Sequence, residues 1–218
     1  DGAPDSSHIG AGDVSVQAQW RLTQFDADSG LPATSINVQL ALPTGRYDRL
    51  GDRPSDGQGS GVYALTLGWY AQTYIWLPNG RILRTRLDLA DTLSRHAHVD
   101  DVSVYGTPQG FRGHARPGDV QTADLAFEYS ATRAWVLALD LLYRHAGNTR
   151  VRGYVVDASG NTDLLRADSG PGVSFAFAPA LEYNFNGNVG VIAGVRLIPG
   201  NRSTTHSTTP VMALNMVF

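Results

Sequence analysis

Nine stretches of this 218-residue chain alternate apolar and polar side chains at every second position. That period sorts residues onto the two faces of a β-strand. The first, Asp13 to Phe25, sets Val14, Val16, Ala18, Trp20 and Leu22 against Ser15, Gln17, Gln19 and Arg21. Ser35 to Thr44 repeats the pattern with Ile36, Val38, Leu40 and Leu42, and Gly61 to Trp76 with Tyr63, Leu65, Leu67, Trp69 and Ile75. Arg81 to His96 carries Leu83, Leu87, Leu89 and Leu93 on one face; later strands align Ala123 to Tyr129, Trp135 to Tyr143, Val173 to Phe185 and Val189 to Leu197. The last runs from Val211 to Phe218, with Met212, Leu214, Met216 and Phe218 sharing a face. Helical spacing fits these rows poorly.

Connections alternate in length. Pro78–Gly80, Ser130–Thr132 and Asn186–Asn188 are tight turns, whereas 43–60, 97–119, 146–172 and 199–210 are long and rich in Gly, Asp, Arg, Ser and Thr. Phe25, Trp69, Trp76, Phe127, Tyr129, Trp135, Tyr143, Tyr183, Phe185 and Phe218 lie near strand ends, as in the aromatic girdles of outer-membrane barrels. The expected fold is therefore all-β: one antiparallel up-and-down transmembrane β-barrel domain over residues 1–218, with outward apolar and inward polar faces. Bacterial single-chain barrels close with an even number of strands. The nine visible here imply that one or more N-terminal strands precede Asp1.

Composition agrees where it bears on this reading. No run of about 18 apolar residues offers a helical span, and tilted strands cross with about 9 to 11 residues. The chain has no Cys, which excludes thiol chemistry and Cys-based metal sites. Its basic residues are dispersed arginines with a net charge of −3, so no nucleic-acid surface is expected. Residues 150–168 can form a protruding hairpin, Arg152, Tyr154 and Val156 against Leu164 and Arg166, which reads as loop decoration.

The segment Leu42, Pro43, Thr44, Gly45, Arg46, Tyr47, Asp48, preceded by Gly10 to Val14, resembles the phenol-degradation MetA-pathway family of outer-membrane proteins. So does the C-terminal pattern of Pro179 to Tyr183, Asn186 to Asn188, and Pro210 opening a strand that ends in Phe218. The resemblance implies a barrel of about twelve strands and a role in uptake of aromatic or other hydrophobic compounds. It assigns no catalytic residue.

Strand parity places Arg21, Tyr70, Gln72, Tyr74, Arg84, Arg86, Asp88, Asp124, Glu128, Asp140, Arg144, Glu182 and Arg196 on the inward face as the expected lumen lining. The Pro78–Gly80 turn predicts a polar ladder, Tyr70 facing Asp88, Gln72 facing Arg86 and Tyr74 facing Arg84. The charges in such a lining neutralise one another or select what passes. Outward Asp91 is expected at or above the headgroups, beside Leu67, because a carboxylate deep in lipid is costly.

The leading expectation is a passive channel or transporter component for small molecules, without enzyme activity, cofactor or metal. Outer-membrane lipid, an unidentified solute and, through the strand ending in Phe218, the barrel assembly machinery are the expected partners. Two rival readings use other residues. Ser94, His96 and His98, followed by Asp100 and Asp101, are the chain's enzyme-like cluster, suited to lipid hydrolysis at the rim. His96, His98 and His114 also suggest a divalent metal. An adhesive barrel would act through loop residues Arg46, Arg49, Arg53, Arg112 and Arg116.

Overall fold

A computed structural model describes residues 10–51, 53–201 and 204–216. Among these described residues thirteen strands form two antiparallel sheets. The larger is a meander of the nine alternating segments: β1 (Val14–Thr23), β2 (Ala33–Leu42), β3 (Ala64–Trp76), β4 (Ile82–Ser94), β7 (Val120–Ser130), β8 (Trp135–Ala146), β11 (Gly172–Asn184), β12 (Val189–Ile198) and β13 (Ser207–Met216), side by side in chain order. All nine sequence-predicted strands are present. The last begins at Ser207, inside the expected long loop, and the anticipated terminal Phe218, with Val217, lies outside the described residues. Among the described residues β1 and β13 each pair along one edge and not with each other, so the expected barrel closure is not formed among them.

Turn chemistry fixes the register. Asn79 Oδ1 accepts from the Arg81 amide, Gly80 takes φ +73°, and the Gly80 amide donates to the Leu77 carbonyl. The resulting β3–β4 pairing sets Tyr70 opposite Asp88, Gln72 opposite Arg86 and Tyr74 opposite Arg84, the ladder expected from the turn. Because side chains alternate, one register carries across the whole sheet. On the apolar face Trp20, Ile36, Trp69, Leu89, Ala123, Tyr143 and Phe175 form one continuous row. At the short-turn end Trp135 packs at a tilt against Tyr183 at 4.7 Å, and Tyr183 and Phe185 meet edge-to-face at 5.0 Å.

The long connections are more ordered than loop decoration. β5 (Ala97–Asp100), β6 (Phe111–Arg116), β9 (Arg150–Val156) and β10 (Thr162–Asp168) form a second sheet in the order β10-β9-β6-β5. Each of these strands adjoins a strand of the large sheet across a short break: β4 to β5, β6 to β7, β8 to β9 and β10 to β11. The hairpin over 150–168 has the expected pairing, Arg152 with Arg166 and Tyr154 with Leu164, and gains β6 as a third neighbour. Segment 97–119, expected as loop, supplies β5 and β6.

This small sheet holds the main buried core. Val62, Ala97, Val99, Phe111, Ala115 and Val151 are enclosed, with Tyr47, Tyr105, Val155 and Leu165 against them. Gly113 and Gly153 face each other so closely that a Cβ on either would strike the other's Cα and the Phe111 ring; their lack of side chains makes room for that ring. Gly61 takes φ +68° with the Tyr47 ring where a side chain would project.

The two N-terminal segments that carry the family resemblance meet here. Asp13 Oδ1 accepts from the Gly45 amide at 2.9 Å, and its Oδ2 accepts from the Ser60 amide and hydroxyl at 2.7 and 2.6 Å. Thr44 Oγ1 accepts from the Val14 amide, the Tyr47 hydroxyl donates to the His98 carbonyl at 2.9 Å, and the Tyr105 hydroxyl donates to the Ser60 carbonyl. Burial opposes ionisation of Asp13, but the donors of Ser60, Gly45 and Thr44 outweigh it and hold the carboxyl below its ordinary value.

Candidate functional site

The polar face of the large sheet opens into a cavity of about 860 Å³ across β1 to β4. Its lining includes six of the residues singled out by strand parity: Arg21, Tyr70, Gln72, Tyr74, Arg86 and Asp88. Tyr74 accepts from Gln72 Nε2 at 2.9 Å, and Phe25 packs edge-on against the Tyr74 ring at 5.1 Å. Arg86 Nε lies 3.0 Å from Asp88 Oδ2. Amide, guanidinium and carboxylate groups thus alternate with aromatic rings along one wall, a surface able to hold a ring and hydrogen-bond its substituents.

Beyond the cavity, Arg84 Nη1 donates to Glu128 Oε2 at 2.9 Å. Asp124 stands directly opposite Asp88 on the neighbouring strand, an arrangement of like charges. Asp88 Oδ1 and Asp124 Oδ1 are both buried without a hydrogen-bond partner in the structure. Asp140 lies opposite Ala126 and Ala178, Arg144 opposite Thr122 and Ser174, Glu182 opposite Val136 and Ile192, and Arg196 opposite Thr209. These four share the polar face but make no ion pair among the described residues. Neutralisation is therefore local, confined to Arg84–Glu128 and Arg86–Asp88.

Sequence reasoning omitted Gln17, Gln19, Gln24, Phe25 and Ser35 from the lining, although they border the cavity. The parity of Arg21 identifies Gln17 and Gln19 at once. Phe25 follows β1, where alternation no longer fixes direction, and it turns over the polar face instead of outward.

A family model described as "Putative MetA-pathway of phenol degradation" matches residues 1–205. The chain belongs to that family. No curated protein matches the chain. The description of the MetA-pathway family names no catalytic step.

The enzyme-like cluster is only partly assembled in this MetA-pathway family member. His98 Nε2 lies 3.3 Å from Asp100 Oδ1, and Arg49 Nη2 donates to Asp100 Oδ2 at 2.6 Å. That hydrogen bond from Arg49 holds the Asp100 carboxyl below its ordinary value. Ser94 makes no hydrogen bond to His96 or His98; its amide donates to Asp119 Oδ1. The acid and a histidine meet without the nucleophile. His114 stands opposite His98 with ring centroids 5.3 Å apart and 5.9 Å from His96, an edge-to-face group on an exposed face. Among the described residues no group of three or more His, Asp or Glu side chains is placed to hold a metal ion.

On the apolar face Asp91 lies beside Leu67, one row beyond Trp69, and accepts from Gln121 Nε2 at 2.8 Å. Gln121 Oε1 in turn takes a hydrogen bond from His145 Nδ1 at 2.9 Å. Three neighbouring strands thereby place a polar row immediately past the aromatic one.

Proposed function

We propose that this MetA-pathway family protein is an outer-membrane β-barrel that admits small aromatic or hydrophobic solutes by passive passage. The observation that carries the reading is the two-faced sheet itself: continuous apolar rows on one side, and on the other a cavity lined by Tyr70, Tyr74, Phe25, Gln72 and Arg86. From the Trp69 row to Ile75 is six residues, about 20 Å along a strand, comparable with the apolar band of about 25 Å on transmembrane barrels. In hydrocarbon the free edges of β1 and β13 would leave backbone amides and carbonyls unsatisfied, which requires that they be paired in the membrane, with each other or through further strands. A solute ring would lie among the tyrosines, with its polar substituent on the glutamine and arginine groups.

Single-channel conductance of the refolded protein in a planar bilayer tests this, with and without phenol. Steady conductance reduced by phenol, and altered by Arg86→Gln or Tyr74→Ala, supports the reading. A folded, inserted protein that neither conducts nor changes the flux of phenol across vesicles overturns it.

A further inference from the structure

The outward face changes character abruptly past the Trp69 row. Above the Asp91–Gln121–His145 row come Arg116 of β6 and Arg150 of β9, directly opposite each other. These two arginines, Gln121 and His145 border one cavity of about 250 Å³ together with Asn148 and Asp119, whose Oδ1 accepts from the Ser94 amide, so the exposed face of the small sheet continues the apolar face of the large one. Further along, Arg152 stands opposite both His114 and Arg166, and His114 opposite His98. Like charges placed directly opposite destabilise a sheet, and here they accumulate in a chain whose net charge is −3.

Compensation is incomplete. Arg152 Nη2 donates to both Asp168 oxygens at 2.8 and 2.9 Å, and Asp168 and Asp100 stand directly opposite Arg150 and Arg112, but Arg112, Arg116, Arg150 and Arg166 form no close ion pair among the described residues. The polar row, through Asp91 and Gln121, also borders an apolar groove of about 500 Å³ lined otherwise by Leu67, Trp69, Leu89, Ala123 and Tyr143. A ligand bridging the two has acyl chains at one end and negative charge at the other.

We propose that this face docks a phosphorylated, multiply acylated glycolipid of the outer leaflet, its phosphate between Arg116 and Arg150 and an acyl chain in the Leu67–Tyr143 groove. The inference rests on the membrane reading above. The planar guanidinium pair suits a phosphate's oxygens, with charge-assisted hydrogen bonds from both sides. Removing the like-charge repulsion is part of what binding accomplishes.

The test uses the full chain refolded into phosphatidylcholine vesicles containing lipid A or its dephosphorylated form. Flotation with the vesicles is scored first, then lipid retained through detergent extraction and purification is counted by mass spectrometry. Phosphorylated lipid A should be retained about tenfold over the dephosphorylated form, and Arg116→Gln with Arg150→Gln should remove that preference, as expected for two charge-assisted contacts. Arg81→Gln, at the opposite end of the sheet, should not. The comparison of the two lipids on the unsubstituted protein stands even if the double variant misfolds. Equal retention of both lipids by a floating protein overturns this inference alone. Displacement of lipid A by inorganic phosphate at equal concentration overturns it in favour of a free-anion site. Failure to float overturns the membrane reading and this inference with it.

Discussion

The two sheets are built by the same alternation but satisfy it in opposite ways. In the small sheet one face is sealed: Val99, Phe111 and Ala115 are wholly inaccessible, and the arginine-rich face meets solvent. In the large sheet the only buried apolar side chains among the described residues are Ala126 and Ala176, while Val16, Leu137 and Met212 are 63%, 50% and 78% exposed. A water-soluble sheet covers its apolar face with other parts of the chain. The small sheet does this with the 43–63 connection, and the large sheet leaves that face to its surroundings. Which environment each sheet is made for can thus be read from what its chain covers.

Removing the centre of the small core is the most forceful way to separate the regions. Phe111→Ala should cost about 3–5 kcal/mol, and hydrogen exchange should show protection lost over β5, β6 and β9 while β3 and β4 keep theirs. Loss across both sheets would show that they unfold as one unit. The next test contrasts two exposed leucines. Leu125→Arg, midway along β7 on the apolar face, should destabilise the vesicle-inserted protein by about 2–4 kcal/mol. Leu164→Arg, 70% exposed on the small sheet, should stay within about 0.5 kcal/mol in the same urea titration. Equal penalties would erase the distinction between the faces.

The join between the regions responds to pH. Asp13 has a folded-state pKa below that of the unfolded chain, so its stabilisation is complete at neutral pH and fades as pH falls below about 4. Asp13→Asn should cost roughly 1 kcal/mol at pH 7 after allowance for solvent screening, and should flatten the acid limb of a stability-versus-pH curve. A variant with an unchanged acid limb would remove Asp13 from the join. A smaller effect is expected from the wall's ion pair: a double-mutant cycle on Arg84→Gln and Glu128→Gln should give a coupling of about 0.5–1 kcal/mol. The corresponding Arg49 and Asp100 cycle should couple less, because that guanidinium is 70% exposed.

The large sheet was legible because its strands are long and each pairs with its neighbour in sequence, so period, turn and parity all point to one register. The Tyr70–Asp88, Gln72–Arg86 and Tyr74–Arg84 ladder follows from the Pro78–Gly80 turn for that reason. The small sheet was not. Its strands are short, Gly113 and Gly153 interrupt their alternation, and β6 finds β9 across two intervening strands of the other sheet. Charged residues spaced along such segments read as solvated loop, which is how Arg112 and Arg116 entered the sequence reading, apart from Arg150 and Arg152. The candidate site shows the same division. Residues on β3 and β4 were placed correctly beside one another, whereas the pairing of Asp124 with Asp88, the isolation of Glu182 and Arg196, and the inward turn of Phe25 depend on packing that periodicity does not encode.

The small core also sets an order in time. Its members come from three separate connections, and about ninety positions lie between Val62 and Val151, a separation whose closure entropy must be met before any contact rewards it. The β3–β4, β7–β8 and β11–β12 hairpins of the large sheet close over a few residues and have no such barrier. The arginine-bearing surface on β6 and β9 needs only the β7–β8 hairpin to bring its strands together, whereas its sealed underside waits for Val62 and the 43–63 connection, an order readable by pulse-labelling.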